Sequence, residues 1–115
     1  VDIVQPDIMY MGGLTRSLDV AKLAEHSNIT CTPHAANLSL VTVCTMHFLK
    51  ALKNGGEFLE FSIEGNDYYP WQEGLFANNP FEVKNGELTI HDTPGWGIEF
   101  NHNWLSSSTY QSSTE

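Results

Sequence analysis

The first 64 residues alternate between short β-branched runs and stretches of helical period, with only a few residues at each crossing. That alternation narrows the fold more than any other feature. Strand, helix, strand, helix, strand with short connections specifies successive βα units on a parallel sheet, because consecutive parallel strands need a crossover and a helix usually supplies it. The first run, Ile3 to Pro6, ends at Asp7, and Gly12-Gly13 punctuates the chain before a helix that begins at Leu14. Thr15 is a candidate N-cap for it. Leu14, Leu18 and Ala21, widened by Val20 and Ala24, make its apolar stripe, with Arg16, Lys22 and Glu25 on the wet side. Ser27-Asn28 breaks this helix, and Ile29-Thr30-Cys31-Thr32, bounded by Pro33, is a second strand ending at His34. Ala35-Ala36-Asn37 forms a turn. Leu40 to Leu52 then reads as an almost uniformly apolar helix closed by Lys50, Lys53, Asn54 and Gly55-Gly56, and Phe58 to Glu64 alternates as a third strand.

Three strands cannot close a barrel, and a complete eightfold barrel takes roughly 250 residues, so the chain is expected to hold only the last part of one. It also opens on a strand already under way, without an initiator Met, and so reads as a piece of something longer. After Glu64 the character changes. Tyr68-Tyr69-Pro70-Trp71 is an aromatic loop, Glu82 to Ile90 is a hairpin turning at Asn85-Gly86, and Pro94-Gly95-Trp96-Gly97 is a second turn. The expected organisation is therefore 1–64 for the βα array, 65–105 for a loop and hairpin segment, and 106–115 for a loosely ordered, Ser/Thr-rich tail.

Charge excludes one class of partner. With 5 Lys+Arg against 14 Asp+Glu the formal net charge is −9, the wrong sign for binding nucleic acid through its phosphates. No run approaches the roughly 18 apolar residues of a membrane helix, so no membrane partner is expected. Two cysteines make no disulfide scaffold. Together with the absence of a signal-peptide pattern, they favour a reducing compartment and a cytoplasmic location.

In a βα array the functional groups gather at the carboxyl ends of the strands. Asp7 ends the first strand and His34 the second, 27 positions apart, one βα repeat, so the two should stand side by side at similar height. Glu60 lies within the third. Alternation along a strand puts Ile3, Gln5 and Asp7 on one face, Thr30, Thr32 and His34 on the same face of its neighbour, and Glu60 with Ser62 on the third. Strands buried on both faces are Val/Ile/Leu-rich, so polar residues here imply a lined cavity. An Asp beside a His is a general-base arrangement, the carboxylate fixing the imidazole tautomer and stabilising the imidazolium. The plainer alternative is a buried His that has merely found an acceptor.

Cys31-x-x-His34 and Cys44-x-x-His47 together offer four zinc-ligand types. The spacing opposes the idea, since three residues along a strand send Cys31 and His34 to opposite faces. His47, on an apolar helix, is more simply a satisfied core histidine. Asn28-Ile29-Thr30 and Asn37-Leu38-Ser39 match the glycosylation pattern by chance, lying inside or against core elements. Gly12-Gly13 lacks the spacing of a dinucleotide fingerprint. Trp71, Trp96 and Trp104 read as packing anchors, although the loop from Tyr68 to Trp71 can border a pocket, which makes Trp71 a candidate substrate-binding residue.

Val4-Gln5-Pro6-Asp7 followed by Gly12-Gly13, then Pro33-His34, Leu59-Glu60 and Pro94-Gly95-Trp96-Gly97, resembles the C-terminal part of the mandelate racemase and muconate lactonising enzyme family of the enolase superfamily. The resemblance covers residues 1 to 105 and rests on the order of the motifs and the 27-residue step. It implies an α/β fold, the C-terminal part of a modified (β/α)7β TIM-type barrel, with strands six, seven and eight followed by a segment returning to an N-terminal capping domain. By the same resemblance His34 is the general base and acid toward the substrate α-proton, Asp7 its partner, and Glu60 a hydrogen-bonding group on the carboxylate side. Mg²⁺ is the implied cofactor, because a proton α to a carboxylate is very weakly acidic and the family stabilises the enediolate with metal. Its ligands are expected upstream of Val1. None is assigned here, Asp7, Glu60 and Glu64 belonging to the base and electrophile side.

The expected function is the C-terminal part of a Mg²⁺-dependent enzyme that abstracts the proton α to a carboxylate, with an acid-sugar dehydratase favoured over a racemase, epimerase or cycloisomerase. The chain alone is expected to be inactive. The expected partners are a small carboxylate substrate, the rest of the barrel with its capping domain, and further copies in a homo-oligomer. From a different class comes a catalytically silent fragment serving as an interaction module, whose unpaired sheet edge at Ile3 to Pro6 would favour association.

Overall fold

Ile8, Ala21, Cys31 and Phe48 meet in one cluster, with Val4, Cys44 and Leu52 packed against it, so the first two predicted strands and both long helices send residues to a common core. The structure is a computed structural model and describes residues 1–113. The chain runs β1 (Ile3–Val4), α1 (Leu14–His26), β2 (Thr30–Cys31), α2 (Leu40–Ala51), a 3-10 turn (Pro70–Gln72), β3 (Val83–Lys84), β4 (Glu87–Leu88) and α3 (His102–Ser107). β1 and β2 are parallel, with Ile3 opposite Thr30 and Val4 opposite Cys31, as the crossover helix requires.

α1 begins at Leu14 as expected, but its cap is Gly13 at φ 100°, and Thr15 lies inside the first turn. No side chain caps the helix, and its first backbone bond runs from Ser17 N–H to the Gly13 carbonyl at 3.2 Å. Its buried face is Ser17, Ala21 and Ala24, while Leu14 and Leu18 are partly exposed, so the stripe is rotated toward smaller residues. Small side chains there let helix and sheet approach closely. α2 is capped by Ser39, whose hydroxyl accepts the Val41 N–H at 3.2 Å, and it buries Thr42, Val43, Thr45, Met46 and Phe48. Asn54, just past α2, donates to the carbonyls of Ala21 (3.1 Å) and Ile29 (2.9 Å), tying α1 and the entry to β2 together.

The expected third strand is the main departure. The chain makes a single parallel bridge between Cys31 and Gly55, with Cys31 N–H on the Asn54 carbonyl (2.9 Å) and Gly56 N–H on that of Cys31 (3.0 Å). Residues 58–64 then form no ladder. One reason is visible at Ala35, whose N–H, available to a longer third strand, is taken at 2.9 Å by the Glu60 carboxylate. Nor do Glu60 and Ser62 share an environment, since Glu60 is exposed and Ser62 is buried with its hydroxyl on the Glu64 carboxylate.

The hairpin forms as the Asn-Gly signal dictates, with Asn85 and Gly86 both at positive φ (55° and 81°) as a type I′ turn demands. The Pro94–Gly97 turn also forms, and His47 Nε2 donates to the Trp96 carbonyl at 3.0 Å, so the helix histidine is satisfied as a structural group. Phe76 and Phe100 pair antiparallel, closing the segment on itself. In the expected tail, Ser106 and Ser107 end α3, 108–113 form no element, and 114–115 lie outside the described residues.

Candidate active site

Burial alternates along the first strand and its extension, where Val4, Pro6 and Ile8 turn toward the helices and Ile3, Gln5 and Asp7 turn away. The second does the same, with Cys31, Pro33 and Ala35 buried and Thr30, Thr32 and His34 on the open face. Cys31 and His34 therefore point to opposite sides of the sheet, and the zinc arrangement has no common centre. The ladder continues past both strands. Thr32 N–H reaches the Val4 carbonyl (2.9 Å), His34 N–H reaches that of Pro6 (3.2 Å), and Asp7 and His34 end as directly bridged neighbours.

Their side chains meet. His34 Nδ1–H donates to Asp7 Oδ2 at 2.6 Å, while Asp7 Oδ1 accepts the N–H groups of Met9 (2.7 Å) and Tyr10 (2.8 Å). The chain turns at once after Asp7, with Met11 N–H on the Asp7 carbonyl and Gly13 N–H on that of Ile8, and this brings the two amides onto the carboxylate. Burial pushes the Asp7 carboxyl up, but the bonds from Tyr10 N–H, His34 and Met9 N–H outweigh it and hold the group below its ordinary 3.8. Ionised Asp7 only accepts, so Nδ1 keeps its proton and the neutral ring carries its lone pair at Nε2.

Nε2 lies 3.6 Å from Glu60 Oε2, the oxygen that also accepts the Ala35 N–H. The imidazole is thus flanked by one carboxylate on each nitrogen. The side chains of His34 and Glu60 are 38% and 44% exposed against 14% for Asp7, so the ring is reachable from the open face while the carboxylate that anchors it is covered. Such a ring can take a proton at Nε2 and hold it between two anions. The structure brings Asp7, His34 and Glu60 together.

Trp71 stands apart from that group in its contacts, with its carbonyl accepting the Trp104 Nε1–H at 2.9 Å and its ring 5.9 Å from that of Tyr69. Sequence reasoning passed over its neighbour. Gln72 Oε1 accepts the Leu38 N–H at 2.5 Å and so ties the aromatic loop to the segment that follows His34. The signal available was a lone amide closing an aromatic run.

Among the described residues no three His, Cys, Asp or Glu side chains converge as metal ligands. Asp7 has both oxygens engaged and Glu60 one, so this set does not fit a magnesium site. No described helix is long and apolar enough to cross a membrane.

Comparison with known proteins extends this geometry. A solved structure from Roseobacter denitrificans, provisionally designated a racemase, is 57% identical and superposes with a TM-score of 0.91 over 98% of this chain and 31% of its own. A second, from Burkholderia xenovorans strain LB400, provisionally designated an L-alanine-DL-glutamate epimerase and bound to magnesium and fumarate, is 30% identical. Its TM-score is 0.76 over 93% of this chain and 25% of its own. The L-rhamnonate dehydratase of Saccharopolyspora erythraea is 29% identical over 87% of this chain and 25% of its own length. The chain spans about a quarter of the length of the curated relatives it matches. Its residues 1–104 match the family described as enolase C-terminal domain-like, with the barrel-derived β1, β2 and their crossover in place, and the chain belongs to that family of the enolase superfamily.

Proposed function

We propose that this chain supplies the proton-handling side of an active site that removes the hydrogen α to a carboxylate, within a longer barrel enzyme, and that the favoured reaction is dehydration of a sugar acid. One observation carries the reading: His34, held through Nδ1 by ionised Asp7, turns Nε2 toward the open sheet face beside Glu60. The α-proton passes to His34 Nε2, and the electron pair it leaves moves into the carboxylate as an enediolate. Asp7 and Glu60 stabilise the resulting imidazolium from its two sides. If that proton is then given to a β-hydroxyl, the hydroxyl departs as water and a carbon–carbon double bond forms.

An enediolate needs a cationic partner, and Mg²⁺ is the one the family uses. The residues present do not fit that ion, so its ligands belong to another part of the barrel and no step here is routed through it. The isolated chain is accordingly expected to turn over no substrate.

A second reading, racemisation or epimerisation, has its own support in the 57% identical relative designated a racemase. There the proton returns to carbon. Incubating the barrel protein that carries this segment with sugar acids in D₂O separates the two, since dehydration yields a keto acid and racemisation yields deuterated substrate of both configurations. His34→Asn should abolish exchange in either case. Exchange at the unaltered rate would sink both readings.

A further inference from the structure

Residues 65–75 carry the aromatic loop and hold it largely from within. Tyr68 and Tyr69 N–H share the Gly65 carbonyl (3.0 and 3.2 Å), Gln72 N–H takes that of Tyr69 (3.1 Å), and Leu75 N–H takes that of Gln72 (3.2 Å). Among the described residues three hydrogen bonds leave this stretch. Two run toward α3, from Asn101 N–H to the Leu75 carbonyl (3.1 Å) and from Trp104 Nε1–H to that of Trp71 (2.9 Å). The third, from Leu38 N–H to Gln72 Oε1 at 2.5 Å, is the one that ties the loop to the βα half of the chain. Its far end is firmly placed. Between His34 and α2 the backbone is held at Ala35, whose N–H lies on the Glu60 carboxylate, at Asn37, whose carbonyl accepts the Thr42 hydroxyl, and at Ser39, which caps α2. Thr42 and Ser39 are both buried.

Gln72 thus grips a backbone whose other end is His34. Trp71 shares no hydrogen bond with Asp7, His34 or Glu60 among the described residues, so its placement against that group comes through its neighbour. The short 3-10 turn of Pro70, Trp71 and Gln72, with φ fixed at Pro70, passes the grip along with little slack. We infer that Gln72 is a positioning residue. It locks the wall from Tyr68 to Trp71 onto the segment that follows His34, and so sets how a substrate lies relative to Nε2 without touching the reacting atoms. The inference rests on the reading of His34 as the base and of the aromatic loop as a wall of its pocket. Binding orients the substrate and His34 supplies the chemistry, so the loss of Gln72 falls on KM and not on kcat.

The test compares the whole barrel protein that carries this segment with its Gln72→Met and Gln72→Glu variants. Methionine has the reach of glutamine but offers only a weak thioether acceptor, whereas glutamate keeps an accepting oxygen. Deuterium uptake at backbone amides is read first, without substrate. One net hydrogen bond is worth roughly two- to tenfold in an opening equilibrium, so the Leu38, Tyr69 and Gln72 amides should exchange about fivefold faster in Gln72→Met and recover in Gln72→Glu. The Thr32 and His34 amides, bonded in the sheet ladder, should not change. With a panel of pentonic and hexonic acids, followed by α-proton exchange in D₂O, KM should rise about fivefold in Gln72→Met while kcat stays within about twofold. Unchanged exchange at Leu38, a rise that Gln72→Glu does not reverse, or a rise shared by Thr32 and His34 overturns the inference. So does a fall in kcat at constant KM. His34→Asn tests the proton chemistry separately. If that variant exchanges at the unaltered rate, or if no acid exchanges in the natural protein, the proposed reaction fails and amide exchange alone decides the role of Gln72.

Discussion

Asp7→Asn separates the charge of this site from its shape. The amide keeps an oxygen for Met9 and Tyr10 N–H, but the atom facing His34 Nδ1 becomes an NH₂ donor. The imidazole must then accept at Nδ1 and carry its proton at Nε2, the reverse of what a base requires. A hydrogen bond to a charged group is worth about 1.5–3 kcal/mol and a neutral one about 1. With Asp7 largely covered and His34 partly wet, the expected loss is about 1 kcal/mol, or roughly 3–5 °C in Tm for a domain of this size. The pH dependence has a definite sign. Because the Asp7 carboxyl sits below its ordinary 3.8, its contribution is complete above that value and is lost as pH falls through the lower folded value. Thermal melts of both proteins at pH 7 should therefore differ, and the gap should close on acidification below about pH 4. ¹⁵N shifts of the His34 ring read the tautomer directly. In the barrel protein the same change should depress α-proton exchange steeply, since loss of the correct tautomer in hydrolytic triads costs on the order of 10⁴-fold. A variant that melts with the wild type at pH 7, or that keeps its proton on Nδ1, would refute the reasoning.

Gly56→Ala should destabilise by about 1–3 kcal/mol, because a Cβ there falls on Thr32 Oγ1, and Thr32→Ala should relieve much of that loss; strictly additive urea midpoints would contradict it. Asn54→Ala strips a partner from the carbonyls of both Ala21 and Ile29 and should cost about 1–2 kcal/mol by chemical denaturation, with a change under about 0.3 counting against that tie. Burial pushes the thiols of both Cys31 and Cys44 up, but Cys31 is fully enclosed and Cys44 is not, so under native conditions a thiol reagent should label Cys44 first. Equal rates would mean that the core around Cys31 opens freely.

What could be read from the residues alone follows the range of the forces involved. The 27-residue step sets Asp7 against His34 because a parallel ladder transmits register, and Asn85-Gly86 turns its hairpin because both positions need positive φ. The apolar run from Leu40 is a helix almost residue for residue. Longer-range choices were hidden. Alternation in Phe58 to Glu64 suggested a strand, yet a strand needs a partner, and Glu60 meets β2's extension through its side chain rather than its backbone. Thr15 had the composition of a cap, but Gly13, at positive φ, takes the cap position two residues earlier. Gln72 was illegible because its partner, the Leu38 amide, lies 34 positions away.

The backbone bridge between Asp7 and His34 has an evolutionary corollary. The distance between acid and base is measured out by the sheet and not by the loops that follow, Ile8 to Gly13 and Ala35 to Ser39. Beyond Tyr10, whose amide still holds Asp7, and Ala35, whose amide holds Glu60, those loops can be lengthened, shortened or exchanged while the ruler beneath them stays fixed, so the pairing of Asp7 with His34 survives changes in the walls around it.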